Sequence, residues 1–211
     1  MSDYVVVAAT SRALQQILWE AFAKDPLINP IISSREEIVF RNPTQTAMDS
    51  ANRLSLWLHQ VNENEFVKNQ PMLHGNNGRD GNNGHESLRY PPLALNLFYL
   101  VTPFAPQGDP ESEHILLGAT MQVLYDNSIL FLRNQTQGEV VAEEVRIILS
   151  RLSLEELTRI WEALREPYRL SICYEVRVTR IDSKRMPQGA RVIDRTAQFS
   201  KGSSALGGVR L

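Results

Sequence analysis

The chain has 211 residues, of which 43% are hydrophobic, a formal net charge of −2 and a single cysteine. This length suits one domain with an extension, and the lone Cys173 excludes an internal disulfide framework. The near-neutral charge gives no indication of nucleic-acid binding. No apolar run approaches the ~20 residues that cross a membrane, and the N-terminus lacks a signal-peptide pattern. We therefore expect cytoplasmic synthesis and assembly, without membrane insertion.

The N-terminal third predicts one helix and two strands. A helix over residues 4–24 has an apolar stripe at helical spacing, with Ser2 or Asp3 as its cap. Asp25-Pro26 ends it, because a residue before proline avoids the helical region. Residues 37–41 predict a short strand, although Ser33, Ser34, Glu36 and Glu37 also resemble a capping box. Residues 53–61 predict the second strand, from alternating leucine and polar residues.

The middle of the chain predicts a loop, a central strand and a long helix. The Gly/Asn-rich run 75–84 has no core residues and predicts a mobile hairpin or loop. Residues 93–101 are apolar on both faces, which is typical of a strand covered on two sides. Asp109-Pro110 then opens a helix that we expect to reach residue 130, since Asp is a good N-cap and proline suits the first turn.

The last third predicts a strand, a helix and a strand before the pattern stops. Residues 144–149 form the first strand, and Ser153 with Glu156 forms a capping box for a helix over 154–165. In the final strand, 168–181, residues alternate between an apolar and a polar face. We place the polar face on these residues of alternating position: Ser171, Cys173, Glu175, Arg177, Thr179.

This order of elements predicts an α+β fold with a mixed, mostly antiparallel sheet flanked by about three helices. We expect a body over residues 1–182, with the loop 75–84, and an extended C-terminal arm over 183–211. The arm buries too little apolar surface to offset its ordering entropy. It therefore either stays solvated or is ordered by a neighbouring molecule.

The arm carries six basic residues and one acid, so it holds about +5 and the body about −7. A basic arm can dock on an acidic partner, including copies of the same chain. Its apolar residues can also add a strand to a partner's sheet edge. The candidate partner-interface residues of the arm are these basic and apolar side chains: Arg185, Arg191, Val192, Ile193, Arg195, Phe199, Lys201.

No pattern in the sequence predicts catalysis, a cofactor or a metal. There is no phosphate-binding Gly-rich loop, no Gly-x-Ser-x-Gly and no His-Glu-x-x-His, and the four histidines are dispersed. The pair Glu155/Glu156 lies in the first turn of a helix, where acids favour the helix dipole. We therefore expect no enzyme activity. Trp57 has two open roles, as a core residue or as an exposed anchor for a partner.

Four stretches resemble, in the same order, the tail-terminator or cap proteins of contractile injection systems, the phage-tail-like particles. They are ISSREEI at 32–38, ANRLSLWLHQVNENEF at 51–66, LRYPPLALNLFYLVTPF at 88–104, and LSLEELTRIWEAL at 152–164 running into PYRLS. The Gly/Asn-rich run and the arm depart from the family pattern. Within the second stretch, Trp57, Glu63 and Glu65 are the candidate partner-interface residues of the body.

The resemblance implies a structural role. Such a protein forms a ring, commonly a hexamer, on the distal end of the inner tube and sheath. It stops polymerisation there and anchors the end of the sheath. The implied partners are copies of the chain, the tube protein and the sheath protein, and the basic arm would pair with the top layer of the sheath. Three fates of the particle stay open: it is released, stays in the cytoplasm or is attached to a membrane. Alternatives are an adaptor or baseplate component, a monomeric binding module, or an enzyme acting on a small molecule.

Overall fold

The structure, a computed structural model of the chain, describes residues 4–67, 73–75, 87–136 and 139–183. It contains four α-helices within these ranges: α1 (Val6–Phe22), α2 (Pro43–Ala47), α3 (Pro110–Asp126) and α4 (Leu154–Leu164). The strands are β1 (Ile38–Val39), β2 (Leu54–Glu63), β3 (Leu73–Gly75), β4 (Ser87–Arg89), β5 (Leu93–Pro103), β6 (Ile129–Thr136), β7 (Glu139–Ser150) and β8 (Ile172–Ile181). No helix in these ranges is both long and apolar enough to span a membrane.

Six strands form one sheet in the order β1-β2-β5-β8-β7-β6. Only the β1–β2 pair is parallel, and the other four pairs are antiparallel. The short strands β3 and β4 pair separately around the Gly/Asn-rich run. The predicted α+β fold with a mixed, mostly antiparallel sheet is confirmed, with four helices where about three were expected. The arm lies outside the described residues.

Helices α1 and α3 pack against each other and against one face of this sheet, here named the helix face. Leu14, Leu18 and Phe22 of α1 are at most 1% exposed and lie in the core cluster. These three residues are one helical turn apart, so they form a single apolar stripe. The strands contribute alternate residues of the same face: Leu56, Leu97, Tyr99, Val101, Tyr174, Val176, Val145, Ile147.

Local caps explain where two helices begin. The Asp109 carboxylate accepts hydrogen bonds from the backbone N–H groups of Glu111 and Ser112 at the start of α3. Ser153 and Glu156 form the expected capping box at the start of α4. Such caps satisfy backbone N–H groups that have no partner inside the helix. The expected Ser2 or Asp3 cap of α1 lies outside the described residues, and Val5 holds the N-cap position.

Several boundary predictions were wrong. Strand β7 begins at Glu139 rather than residue 144, and β8 begins at Ile172 rather than residue 168. The helix expected to reach residue 130 ends at Asp126, where Asn127 is the C-cap. Strand β6 then begins at Ile129, because the Ile147 N–H donates to the Ser128 carbonyl at 2.8 Å and starts the ladder with β7. Strand β1 is only two residues long and follows a 3₁₀ turn at Arg35–Glu37. Ser33 donates its N–H and hydroxyl to the Glu37 carboxylate. The alternative capping box is not formed, because the side chain of Ser34 at the N-cap makes no cap hydrogen bond.

The predicted polar face of β8 holds for Cys173, Glu175 and Arg177 but was wrong at Thr179. Ser171, Cys173 and Glu175 are at most 7% exposed. Thr179 is fully buried and pairs with Leu95, because the β5–β8 register shifts between Leu95 and Leu97. A bulge adds a residue and reverses the side-chain alternation beyond it. The sequence pattern of strict alternation therefore fails at the end of this strand.

Candidate partner interface

The sheet face opposite α1 and α3 is here named the second face. It carries two cross-strand rows, Trp57-Leu100-Cys173 and Phe98-Glu175-Ile148, on β2, β5, β8 and β7. Phe131 of β6 continues the same face opposite Glu144. This face mixes aromatic, apolar and charged side chains.

Trp57 is half-buried on this second face. Its ring centroid lies 5.8 Å from that of His59, which in turn lies 6.5 Å from the ring of Phe98. His59 is the extra residue at a bulge, since Leu58 pairs with Tyr99 and Gln60 with Phe98. Trp57 therefore combines features of both predicted roles, because it packs on neighbouring rings and keeps part of its surface exposed.

Cys173, the one cysteine, adjoins the aromatic row formed by Trp57, His59 and Phe98. Its Sγ lies 3.5 Å from Nε2 of His59. Burial raises the pKa of Cys173 to about 11 and lowers the pKa of His59 below its usual 6.5. At neutral pH the thiol therefore keeps its proton, and a protonated thiol is a poor nucleophile. Cys173 and His59 therefore act as packing residues of the second face, and the contact does not activate the thiol.

A row of hydrogen bonds crosses the second face beside the aromatic residues. The Asn64 amide donates to Asn96 at 2.9 Å, and the Asn96 amide donates to the Glu175 carboxylate at 2.8 Å. Arg177 donates to the other carboxylate oxygen at 2.6 Å. Asn64 also accepts from the Phe66 N–H at 3.0 Å. This row fixes the turn after β2 to the middle of the sheet.

That turn places Glu63 and Glu65 together. Both residues line a cavity of about 500 Å³ with Val61, Asn62, Phe66 and Asn96, and Phe66 is 92% exposed. A second cavity of about 440 Å³ shares Glu63 and extends to Ser183, the last described residue of the chain. Glu63 and Glu65 therefore lie at the end of the sheet from which the arm departs. Trp57 does not line either cavity.

The arm residues predicted to contact a partner lie outside the described residues, from Arg185 to Lys201. The sequence interpretation also missed β6, whose Ile129 and Phe131 are 48% and 65% exposed. The polar pair Asn127-Ser128 before the run Ile-Leu-Phe-Leu was the available indication of a helix end and a new strand. Ile129 and Phe131 thus place large, partly exposed apolar side chains near a sheet edge.

At the opposite end of the sheet, Arg169, Glu113 and Phe104 form a cluster, here named the charged clamp. Arg169 donates to the Glu113 carboxylate at 2.8 Å and lies 4.8 Å from the ring centroid of Phe104. The Glu113 carboxylate also accepts from the Ala105 N–H at 3.4 Å. This clamp joins the segment before β8 to the start of α3. In the described part of the chain, no group of three or more His, Cys, Asp or Glu residues is arranged to hold a metal.

The fold is shared with two solved structures of tube-terminating proteins. One is the sheath/tube terminator of the extracellular contractile injection system PVC in its extended state, with a TM-score of 0.59 and 16% identity over 95% of this chain and 65% of that one. The other is the tube-terminating cap of the anti-feeding prophage, with a TM-score of 0.58 and 15% identity over 90% of this chain and 60% of that one. This chain therefore spans less than two thirds of each of these proteins.

The family follows from the sequence match. The Pvc16 N-terminal domain family matches residues 9–195, and the chain belongs to that family. Among curated proteins, none matches the chain. The resemblance inferred from the four sequence stretches is thus confirmed at the level of the family.

Proposed function

We propose that the chain is a structural cap of a contractile injection system, seated on the distal end of the inner tube and sheath. The observation that carries this proposal is the family match over residues 9–195, joined to a fold shared with two terminators of such particles. A growing tube presents a heterologous end that would otherwise extend without limit. A cap matches that end on one face and does not reproduce it on the other.

The cap acts as a homo-oligomeric ring, with six copies as the family-based expectation. It is made and assembled in the cytoplasm as part of a phage-tail-like particle. It works by shape and contact, without bond-making chemistry. In support, the described surface offers unlike faces: the mixed second face and the acidic sheet end at Glu63 and Glu65. Unlike surfaces on one subunit suit a head-to-tail ring.

Deleting the gene tests the capping role. Electron micrographs of particles from the deletion strain are expected to show tubes of variable length with loose sheath ends. Re-expression of the intact chain restores uniform length. Uniform fibres with intact ends in the deletion strain would overturn the proposal. Gold-labelled tagged protein at the baseplate end would instead support the adaptor alternative.

The arm is proposed to anchor the end of the sheath. Its support is the charge division of the sequence, with about +5 on the arm and about −7 on the body. The test is a chain truncated after Asp182 and expressed in the deletion strain. We expect tubes of normal length with detached sheath ends. Normal sheath attachment in this variant would refute the role of the arm without touching the capping role of the body.

A further inference from the structure

The two edges of the six-stranded sheet are built differently. At one edge, β1 has two residues, and the Gln15 amide donates to the Ile38 carbonyl at 2.7 Å and to the Arg35 carbonyl at 3.4 Å. At the other edge, β6 runs for eight residues and pairs with β7 along its whole length. No described strand pairs with the outer side of β6. The first edge is shortened and covered by a side chain, and the second is long.

A long edge strand is a template for another strand, because its outward N–H and C=O groups form a regular row. Folded proteins usually protect such edges with short strands, charges, proline or bulges. β6 has no proline, carries the single charged residue Arg133, and keeps a continuous register with β7 from Ile129 to Thr136. Ile129 and Phe131 add exposed apolar surface at this edge. The edge therefore suits β-augmentation by an extended segment.

Residues 192–199 of the arm match this edge in length and pattern. The segment Val-Ile-Asp-Arg-Thr-Ala-Gln-Phe has eight residues, contains three β-branched residues and ends on an aromatic. In an extended conformation, Ile193, Arg195 and Phe199 share one side. That side complements the β6–β7 surface, where Phe131 lies directly opposite Glu144.

The path of the chain favours the edge of a neighbouring copy over its own. The chain leaves the sheet at the end of β8, and the β6–β7 hairpin continues past that point to the pair Thr136 and Glu139. An arm folding back on its own β6 must cross this hairpin. The eight residues 184–191 span up to about 29 Å when extended, so they allow the segment 192–199 to lie well beyond the end of β8. Arm and edge are also different surfaces of one chain, as a head-to-tail ring requires.

We infer that residues 192–199 of each copy add a strand to the β6 edge of the next copy, as a further link within a cap ring whose capping surface is formed by the bodies. The inference rests on the proposed ring. Residues 200–211 then remain free to extend toward the sheath. The arm thus first links neighbouring copies, and its last part makes the contact with the sheath.

Cross-linking in assembled particles tests the pairing. Two differently tagged chains are expressed together in the deletion strain, one with Phe131→Cys and the other with Ile193→Cys. A thiol cross-linker of about 10 Å covers twice the spacing of neighbouring strands. We expect a mixed-tag dimer, and the parent chain, whose only thiol is the buried Cys173, gives the background. No mixed dimer above background would overturn the inference. A cross-link only when both cysteines are in one chain would assign the arm to its own edge and overturn it too.

A proline in the arm gives a matched second test. In a mixture whose Ile193→Cys chain also carries Thr196→Pro, the proline removes an N–H from the added strand, and we expect at least a tenfold lower yield of mixed dimer. Ser203→Pro, outside the segment, is the control and should leave the yield unchanged. An equal yield in both variants would refute strand addition at 192–199. Particle length reports separately on the capping role, so a failed cross-link with normal lengths sinks this inference alone.

Discussion

The helix face and the second face of the sheet are formed by the same strands but stabilised by different interactions. On the helix face, apolar side chains pack against α1 and α3, and the buried Tyr99 hydroxyl lies 2.8 Å from Ser11 Oγ. Burial raises the pKa of Tyr99 to about 12, so it stays neutral there. On the second face, a half-buried aromatic row adjoins hydrogen-bonded amides and carboxylates. Desolvation of apolar surface dominates the first face, and specific polar contacts shape the second.

This difference separates residues that stabilise the fold from residues that are available to bind other proteins. The helix face is closed within the chain, so its residues contribute mainly to folding. The second face keeps Phe131 and Ile148 partly exposed, at 65% and 38%. Exposed apolar residues grouped on one surface are typical of sites that bind other proteins. Substitutions on the two faces should therefore change different properties of the protein.

The largest expected effect comes from neighbouring residues on β7. Ile147 is 5% exposed and pairs with Val176 on the helix face, whereas Ile148 is 38% exposed and pairs with Glu175 on the second face. We expect Ile147→Ala to lower the free energy of unfolding by about 2–4 kcal/mol, because it leaves a cavity in the core. Ile148→Ala should cost less than about 1 kcal/mol. Urea denaturation of the two variants measures both values.

The same pair of variants tests the division of roles. Ile148→Ala should weaken assembly into particles more than its small loss of stability explains. Equal losses of stability for the two substitutions would mean that the second face is packed as tightly as the helix face. The comparison between the faces would then be wrong.

A second, smaller effect concerns two Glu–Arg pairs on the second face. Glu175 is 7% exposed and is bonded to both Asn96 and Arg177. Glu144 pairs with Arg146 at 3.0 Å, where their side chains are 44% and 65% exposed. Glu175→Ala leaves the Asn96 amide without its acceptor, so we expect a loss of about 1–3 kcal/mol. Glu144→Ala removes an exposed pair and should cost about 1 kcal/mol or less.

Thermal unfolding of both variants measures this difference, and raising the salt concentration separates its causes. The small effect at Glu144 should shrink further in salt, since exposed charges are screened. The effect at Glu175 should persist, because it comes from a buried hydrogen bond. If Glu175→Ala lowered the stability no more than Glu144→Ala does, the row of hydrogen bonds from Asn64 to Arg177 would not contribute to folding.

The sequence predicted features that depend on neighbours along the chain. The Asp109 and Ser153 caps and the apolar run 93–101 follow from local chemistry, and the structure has all three. It did not predict features that depend on neighbours across the sheet. The buried position of Thr179 comes from a register shift opposite Leu95, and no local pattern encodes such a shift.

The candidate interface shows the same limit. Glu63 and Glu65 are close in sequence, and the turn after β2 brings both to one cavity. The long β6 edge is visible only once the strand order is known, because an edge is defined by the absence of a neighbouring strand within the sheet. The half-buried state of Trp57 likewise depends on His59, which a bulge places beside it.

The smallest expected effect is a dependence of stability on pH that originates on the second face. Burial lowers the pKa of His59 in the folded protein below its usual 6.5. Below about pH 6.5 the unfolded chain therefore binds a proton more readily than the folded one, so this contribution to stability is complete above that pH and is lost as the pH falls. We expect His59→Gln to flatten the fall in urea midpoint between about pH 7 and 5 relative to the parent chain. Identical pH profiles for the parent chain and His59→Gln would show that protonated His59 is as well accommodated as the neutral form. The second face would then have to open to water around Trp57 and Cys173, and its difference from the helix face would be larger than the static structure indicates.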